Sequence, residues 1–124
     1  MRAETLFEEH RLHEARMKYL DAALADDRLC EYMGASRTAL TQQRVEQQRH
    51  LQLYDAVVTA LAPKERWLLQ QLYEKDTSMG QLTQEQKSPF YQCAKSTVWR
   101  FKERALAHAN AFLHSLENDS KPPF

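Results

Sequence analysis

The sequence is poor in turn formers and has no long apolar run. Among its 124 residues are two Gly and four Pro. So few residues suited to tight turns argue against a β-rich fold with many hairpins. No apolar stretch approaches the roughly 18 residues of a membrane-spanning helix. Met1-Arg2 leads directly into Glu-rich sequence, without the apolar segment of a secretory signal. A cytoplasmic protein with no membrane contact is expected. Cysteine is scarce too: Cys30 and Cys93 stand far apart, in neither a CxxC nor a Cys/His pair. A structural zinc site needs four ligands at closer spacing, so both read as reduced, partly buried thiols. Net charge is also missing, because 17 bases balance 17 acids. Zero net charge predicts no general attraction to nucleic acid and excludes none.

What is present is helical periodicity. Leu6, His10, His13, Met17, Leu20 and Leu24 recur at alternating four- and three-residue steps from about Ala3 to Leu29, the stripe of an amphipathic helix. Two histidines occupy that seam, where they read as partly exposed. Gly34 suits a helix end, and Ser36 or Thr38 suits the cap of the next helix. From Ala39 to Leu61 the first half is almost wholly polar, a solvated helix or a disordered linker. The second half carries the stripe Leu51, Tyr54, Val58, Leu61. Ala62-Pro63 breaks the pattern, and Pro63 fits the first turn of a short apolar helix with Trp67, Leu68, Leu69, Leu72 and Tyr73. Thr77 or Ser78 can cap a further short helix through about Gln86. A second break falls at Lys87-Ser88-Pro89. Ser96 reads as the N-cap of the longest patterned helix, in which Val98, Phe101, Ala105, Ala109, Phe112 and Leu116 form the stripe, with Leu106 and Leu113 beside it.

The neutral total is unevenly spread. Residues 1–40 hold eight acids and six bases, while residues 41–124 hold nine acids and eleven bases. Lys95, Arg100, Lys102 and Arg104 lie within ten residues, against the single acid Glu103. A helix that enters a DNA major groove needs an apolar back and a front whose first turns reach base edges. Arg can take the guanine O6/N7 pair and Glu can accept from cytosine N4, while Lys and helix-start N–H groups meet phosphate. Ser96, Thr97, Trp99, Arg100 and Glu103 fall toward the front, with Lys95, Lys102 and Arg104 at the rim. Trp99 sits at the stripe's edge, where a core role is equally open.

These segments resemble a known pattern. Leu61-Ala62-Pro63-Lys64-Glu65-Arg66-Trp67-Leu68-Leu69-Gln70-Gln71-Leu72-Tyr73 is similar to the L-x-x-x-E-R-x-x-(I/L)-x-x-x-Y opening of sigma-factor region 4-like domains. It is closer still to the small phage-type regulators of the ArpU and RinA kind. Ser96-Thr97-Val98-Trp99-Arg100-Phe101-Lys102-Glu103-Arg104-Ala105-Leu106 resembles their recognition helix. The resemblance implies a structural role for Glu65 and Arg66. It assigns DNA contact to Ser96, Thr97, Trp99, Arg100, Lys102, Glu103 and Arg104, to which the charge pattern adds Lys95. It also implies an N-terminal helical region used for self-association or partner contact, which suits residues 3–60. The stretch between the two motif helices departs from the pattern: either the turn carries an insertion, or Pro89–Ala94 forms a very short first helix.

The expected architecture is all-α. Residues 1–50 form a helical arm and linker, 51–118 a helix-turn-helix-like bundle, and 119–124 a disordered tail. Double-stranded DNA is the expected partner, RNA polymerase a further one, and a homodimer through the N-terminal helices the expected assembly. The alternative is a helical adaptor that binds polymerase or another regulatory protein without reading DNA. Catalysis is not expected, nor any cofactor or metal. There is no Gly-rich phosphate loop, neither cysteine has a nearby His, and His10, His13, His50, His108 and His114 lack a ligand grouping with carboxylates.

Overall fold

The computed structural model describes residues 1–34 and 36–119; the stretch from Ser120, most of the tail expected to be disordered, lies outside the described residues. Among the described residues six helices follow in order: α1 (Ala3–Ala25), α2 (Asp27–Met33), α3 (Arg37–Ala60), α4 (Pro63–Tyr73), α5 (Met79–Gln84) and α6 (Lys95–Asp119). There is no strand among the described residues. The fold is all-helical.

Local chemistry sets the breaks. The first segment, read as one helix to Leu29, is two, because the Asp26 side chain accepts from the Arg28 N–H at 2.9 Å and starts a new helix. Gly34 ends α2 in the left-handed region at φ 66°, its N–H bonded to the Glu31 carbonyl. Ser36 Oγ accepts from the Ala39 N–H at 3.1 Å and caps α3. The polar half of α3 is helix rather than linker, in keeping with the good propensity of Gln and Arg. Pro63 opens α4, where Glu65 Oε1 accepts from the Ala62 N–H at 3.1 Å. Ser78 and Gln81 form a reciprocal capping box at α5.

The chain divides into two compact units. One comprises Met1–Glu8 with everything from Ala56 onward, the other Glu9–Asp55. In the first unit α6 packs on α4 and α5. Leu68, Leu82, Phe90 and Val98 are buried together, with Trp67, Leu72, Met79, Cys93 and Phe101 against them. Phe90 meets Phe101 edge-on, with ring centroids 5.3 Å apart. The start of α1 joins the same unit. Phe7 is buried with its ring 6.1 Å from that of Tyr73, and the Ala3 N–H donates to Asn110 Oδ1 at 2.8 Å.

The second unit has a small apolar cluster, Leu20, Ala23, Cys30 and Leu40, with Leu24 and Leu29 beside it. Its remaining seam is made of rings. His10 stacks on Tyr54 at 3.5 Å between centroids, and His13 stacks on His50 at 4.3 Å. His13 Nδ1 pairs with Gln47 Oε1 at 2.6 Å. The expectation of partly exposed seam histidines is corrected here: His10 is 9% exposed and His13 6%. Stacking covers their ring faces, and Glu14 and Glu9 on the same helix approach their Nε2 atoms.

Candidate nucleic-acid interface

The approach to α6 is an ordered run of turns. No helix forms over residues 89–94, so the very short helix that was one alternative for Pro89–Ala94 is not formed. Phe90 is buried at its centre, and Ser88 Oγ accepts from the Phe90 N–H across Pro89 at 3.1 Å. Gln92 adopts a positive φ of 65°, and its N–H donates to the Thr83 carbonyl at 2.9 Å, tying the connection back to α5. The Cys93 N–H donates to the Phe90 carbonyl at 3.0 Å. The first turn of α6 closes on the Ala94 carbonyl, which accepts from Thr97 and Val98. Ser96 is therefore inside the helix and not its N-cap, because the turn anchored by Phe90 brings the chain into helix earlier than the side-chain pattern suggested.

From that start α6 presents two faces. Val98, Ala105 and Ala109 are fully buried and Phe101 half-buried, while Ser96, Thr97, Arg100, Glu103 and Arg104 are exposed. Trp99 is 53% exposed, which places it on the open face and not in the core. Leu106 and Leu113 are buried too, so further along the helix the covered side widens. Neither Arg100 nor Arg104 makes an ion pair among the described residues. Both guanidinium groups are left with their donors turned to solvent.

The two rim lysines differ. Lys95 is exposed and its stem crosses α5 at Gly80, where an added Cβ would come within 3.3 Å of Lys95 Cε. Lys102 is half-buried, with Nζ 5.8 Å from the centre of the Tyr73 ring. Lys102 is thus engaged with Tyr73 in the same unit.

Glu65 and Arg66 belong to α4. Glu65 is buried. One carboxylate oxygen caps α4 and the other takes the His108 Nδ1–H at 2.5 Å, fastening α4 to α6. Arg66 reaches the Leu61 carbonyl at 3.5 Å. Sequence reasoning gave Lys64 no part. Its Nζ lies 4.9 Å from the Phe90 ring and 5.1 Å from the Phe101 ring, adding a cation to the flank of α6. No spacing rule joins residues so far apart in the chain.

Burial raises the Tyr73 phenol well above its ordinary value, and the neighbouring Glu4, Glu8 and Glu103 carboxylates add to the effect. Tyr73 therefore stays neutral, donating to Glu4 Oε1 at 3.3 Å. No group of three His, Cys, Asp or Glu side chains suited to a metal ion assembles among the described residues. The open face of α6 has what is needed to meet an anionic, hydrogen-bonding surface: two unpaired guanidinium groups, a carboxylate acceptor, small hydroxyls in the first turn and one exposed indole. Comparison with protein-family models, curated proteins and solved structures finds no match to this chain.

Proposed function

We propose that this chain is a sequence-specific DNA-binding regulator of transcription, of phage or mobile-element type. α6 enters the major groove, and α5 with its turn-rich connection forms an extended helix-turn-helix of the sigma region 4 kind. The observation that carries this reading is the open face of α6, with Trp99, Arg100, Glu103 and Arg104 outward and Val98, Ala105 and Ala109 buried behind them. A rigid back face holds the front residues at fixed positions, which base-edge readout requires. Arg100 and Arg104 take guanine edges or phosphates. Glu103 selects against bases that offer no donor, and Trp99 supplies apolar contact to thymine methyls. Ser96 and Thr97, with the first N–H groups of α6, meet backbone phosphate. A dimer formed through the N-terminal helices reads two half-sites, and regulation follows from occluding or recruiting RNA polymerase.

The neutral net charge makes the contact local. With about three phosphates neutralised per chain, the logarithm of the binding constant should fall with the logarithm of salt at a slope near −3 for each chain bound. The test is a mobility-shift assay on duplex DNA at low and moderate salt, with wild type beside the double variant Arg100→Ala, Arg104→Ala. Specific binding should be lost in the variant while its circular dichroism is unchanged. Retention of full binding removes α6 as the reading helix.

One observation favours a second reading, a helical adaptor that docks on polymerase or another regulator. The connection between α5 and α6 is longer than the three- or four-residue turn of a compact helix-turn-helix. A folded sample that binds no duplex even at low salt decides for the adaptor.

A further inference from the structure

We infer that the outer face of α1 between Leu12 and Ala22, with the groove beside it, is a homodimer surface on which Arg16 of one chain pairs with Glu46 of a second copy. Self-association through the N-terminal helices belongs to the function proposed above, and the surface assigned here rests on that reading.

Three observations lead to this face. The first is an inversion of polarity along α1. Its inward stripe in the Glu9–Asp55 unit includes two histidines, whereas Leu12, Ala15, Tyr19 and Ala22 recur outward at three-four-three spacing, all exposed. Leu12 is 48% exposed and Tyr19 54%. A helix that keeps apolar residues outside and polar rings inside has a second seam to cover.

The second observation is the groove that this stripe borders. It has a volume of about 340 Å³ and is lined by Arg16, Tyr19 and Leu20 of α1 and by Gln43, Glu46 and Gln47 of α3. One wall carries a cation and the other an anion, and neither makes an ion pair among the described residues. A single cation and a single anion placed side by side are self-complementary under a two-fold axis. In such an interface residue i meets j of the partner and j meets i, so each groove is closed by two Arg16–Glu46 pairs. An unrelated basic or acidic partner would satisfy one wall and oppose the other.

The third observation is the small interior of the unit. Its buried apolar cluster is Leu20, Ala23, Cys30 and Leu40. In units shorter than about 70–80 residues a core rarely supplies more than marginal stability, and oligomerisation is a common supplement. A second copy laid against α1 covers Leu12 and Tyr19 and adds the apolar contact that the interior lacks.

The test is sedimentation of the full chain at micromolar concentration. Wild type should run at twice the chain mass. Arg16→Glu alone sets two acids against each other, and Glu46→Arg alone sets two bases against each other. Each should raise the dimer dissociation constant by about a hundredfold or more. An equimolar mixture of the two variants should recover the dimer, because every pair across the mixed interface is again opposite in sign. Tyr19→Lys should also give monomers, and no mixture with a charge variant should rescue it. A monomeric wild type, an undisturbed single variant or a mixture that stays monomeric overturns the assignment. Duplex binding measured on the same samples separates the two readings. Recovery on mixing without any DNA shift leaves the dimer face standing and removes the DNA-reading function. A DNA shift by monomers does the reverse.

Discussion

The unit that carries α4, α5 and α6 and the unit Glu9–Asp55 are both helical, and their interiors are filled in opposite ways. In the first, Leu68, Leu82, Phe90 and Val98 close an apolar cluster with edge-on aromatic contact. In the second, the seam is imidazole and phenol rings stacked in pairs, with Gln47 bonded to His13. Among the described residues each unit holds a buried side-chain atom with no hydrogen-bond partner, His10 Nδ1 in one and Arg66 Nε in the other. An unmade bond of that kind costs about 1–3 kcal/mol. The apolar interior suits the platform that the proposed function asks for, one that holds the α6 side chains at fixed positions. The ringed interior fixes register through directional contacts, and its apolar cluster is made of smaller side chains.

The largest expected effect that sharpens this contrast comes from truncating one leucine in each interior. Leu68→Ala should cost about 4 kcal/mol, and Leu40→Ala about 2–3 kcal/mol, because the smaller cluster has less surrounding structure to hold a cavity open. Urea denaturation of the two variants measures the difference. Equal losses would mean that the interiors are equally well packed.

A smaller effect belongs to Gly34. No atom stands near an added Cβ, so Gly34→Ala tests backbone conformation alone. A residue with a side chain at φ 66° should lower stability by about 1 kcal/mol. An unchanged midpoint would mean that the α2 end does not depend on the left-handed turn.

The smallest effect concerns the other unit at alkaline pH. Burial raises the Tyr73 phenol first, and the Glu4, Glu8 and Glu103 charges raise it further. In the unfolded chain a tyrosine ionises near pH 10, while the folded chain still holds its proton. The folded state then binds more protons, so this contribution is complete below that pH and is lost as pH rises above it. Tyr73→Phe should remove that component and flatten the alkaline limb of the stability curve. An alkaline limb identical to wild type would show that Tyr73 is not coupled to folding.

Much of the helical architecture is legible in the sequence, because stripes such as Val98, Phe101, Ala105 and Ala109 carry their own period. The break at Asp26 is not, since neither Gly nor Pro marks it and one side-chain cap makes it. The burial of His10 and His13 is not legible either, for a physical reason: stacking on Tyr54 and His50 depends on α3, and hydropathy along α1 gives no sign of it. At the candidate interface the exposed set was legible from spacing on one helix. Contacts from distant helices were not. Lys102 over Tyr73, Lys64 over Phe90 and Phe101, and His108 on Glu65 all join residues whose separation follows no local rule.

The central claim is that α6 reads DNA. The most direct measurement is a competition experiment in which wild type and the Arg100→Ala, Arg104→Ala variant are titrated with a duplex selected from random sequence by the wild-type protein, against bulk non-specific DNA. Wild type should prefer the selected site by at least about a thousandfold, the lower end of ordinary site-specific binding, and the variant should lose that preference while keeping its helical circular dichroism. A folded wild-type protein that selects no sequence, or a variant that discriminates as well as wild type, would contradict the claim.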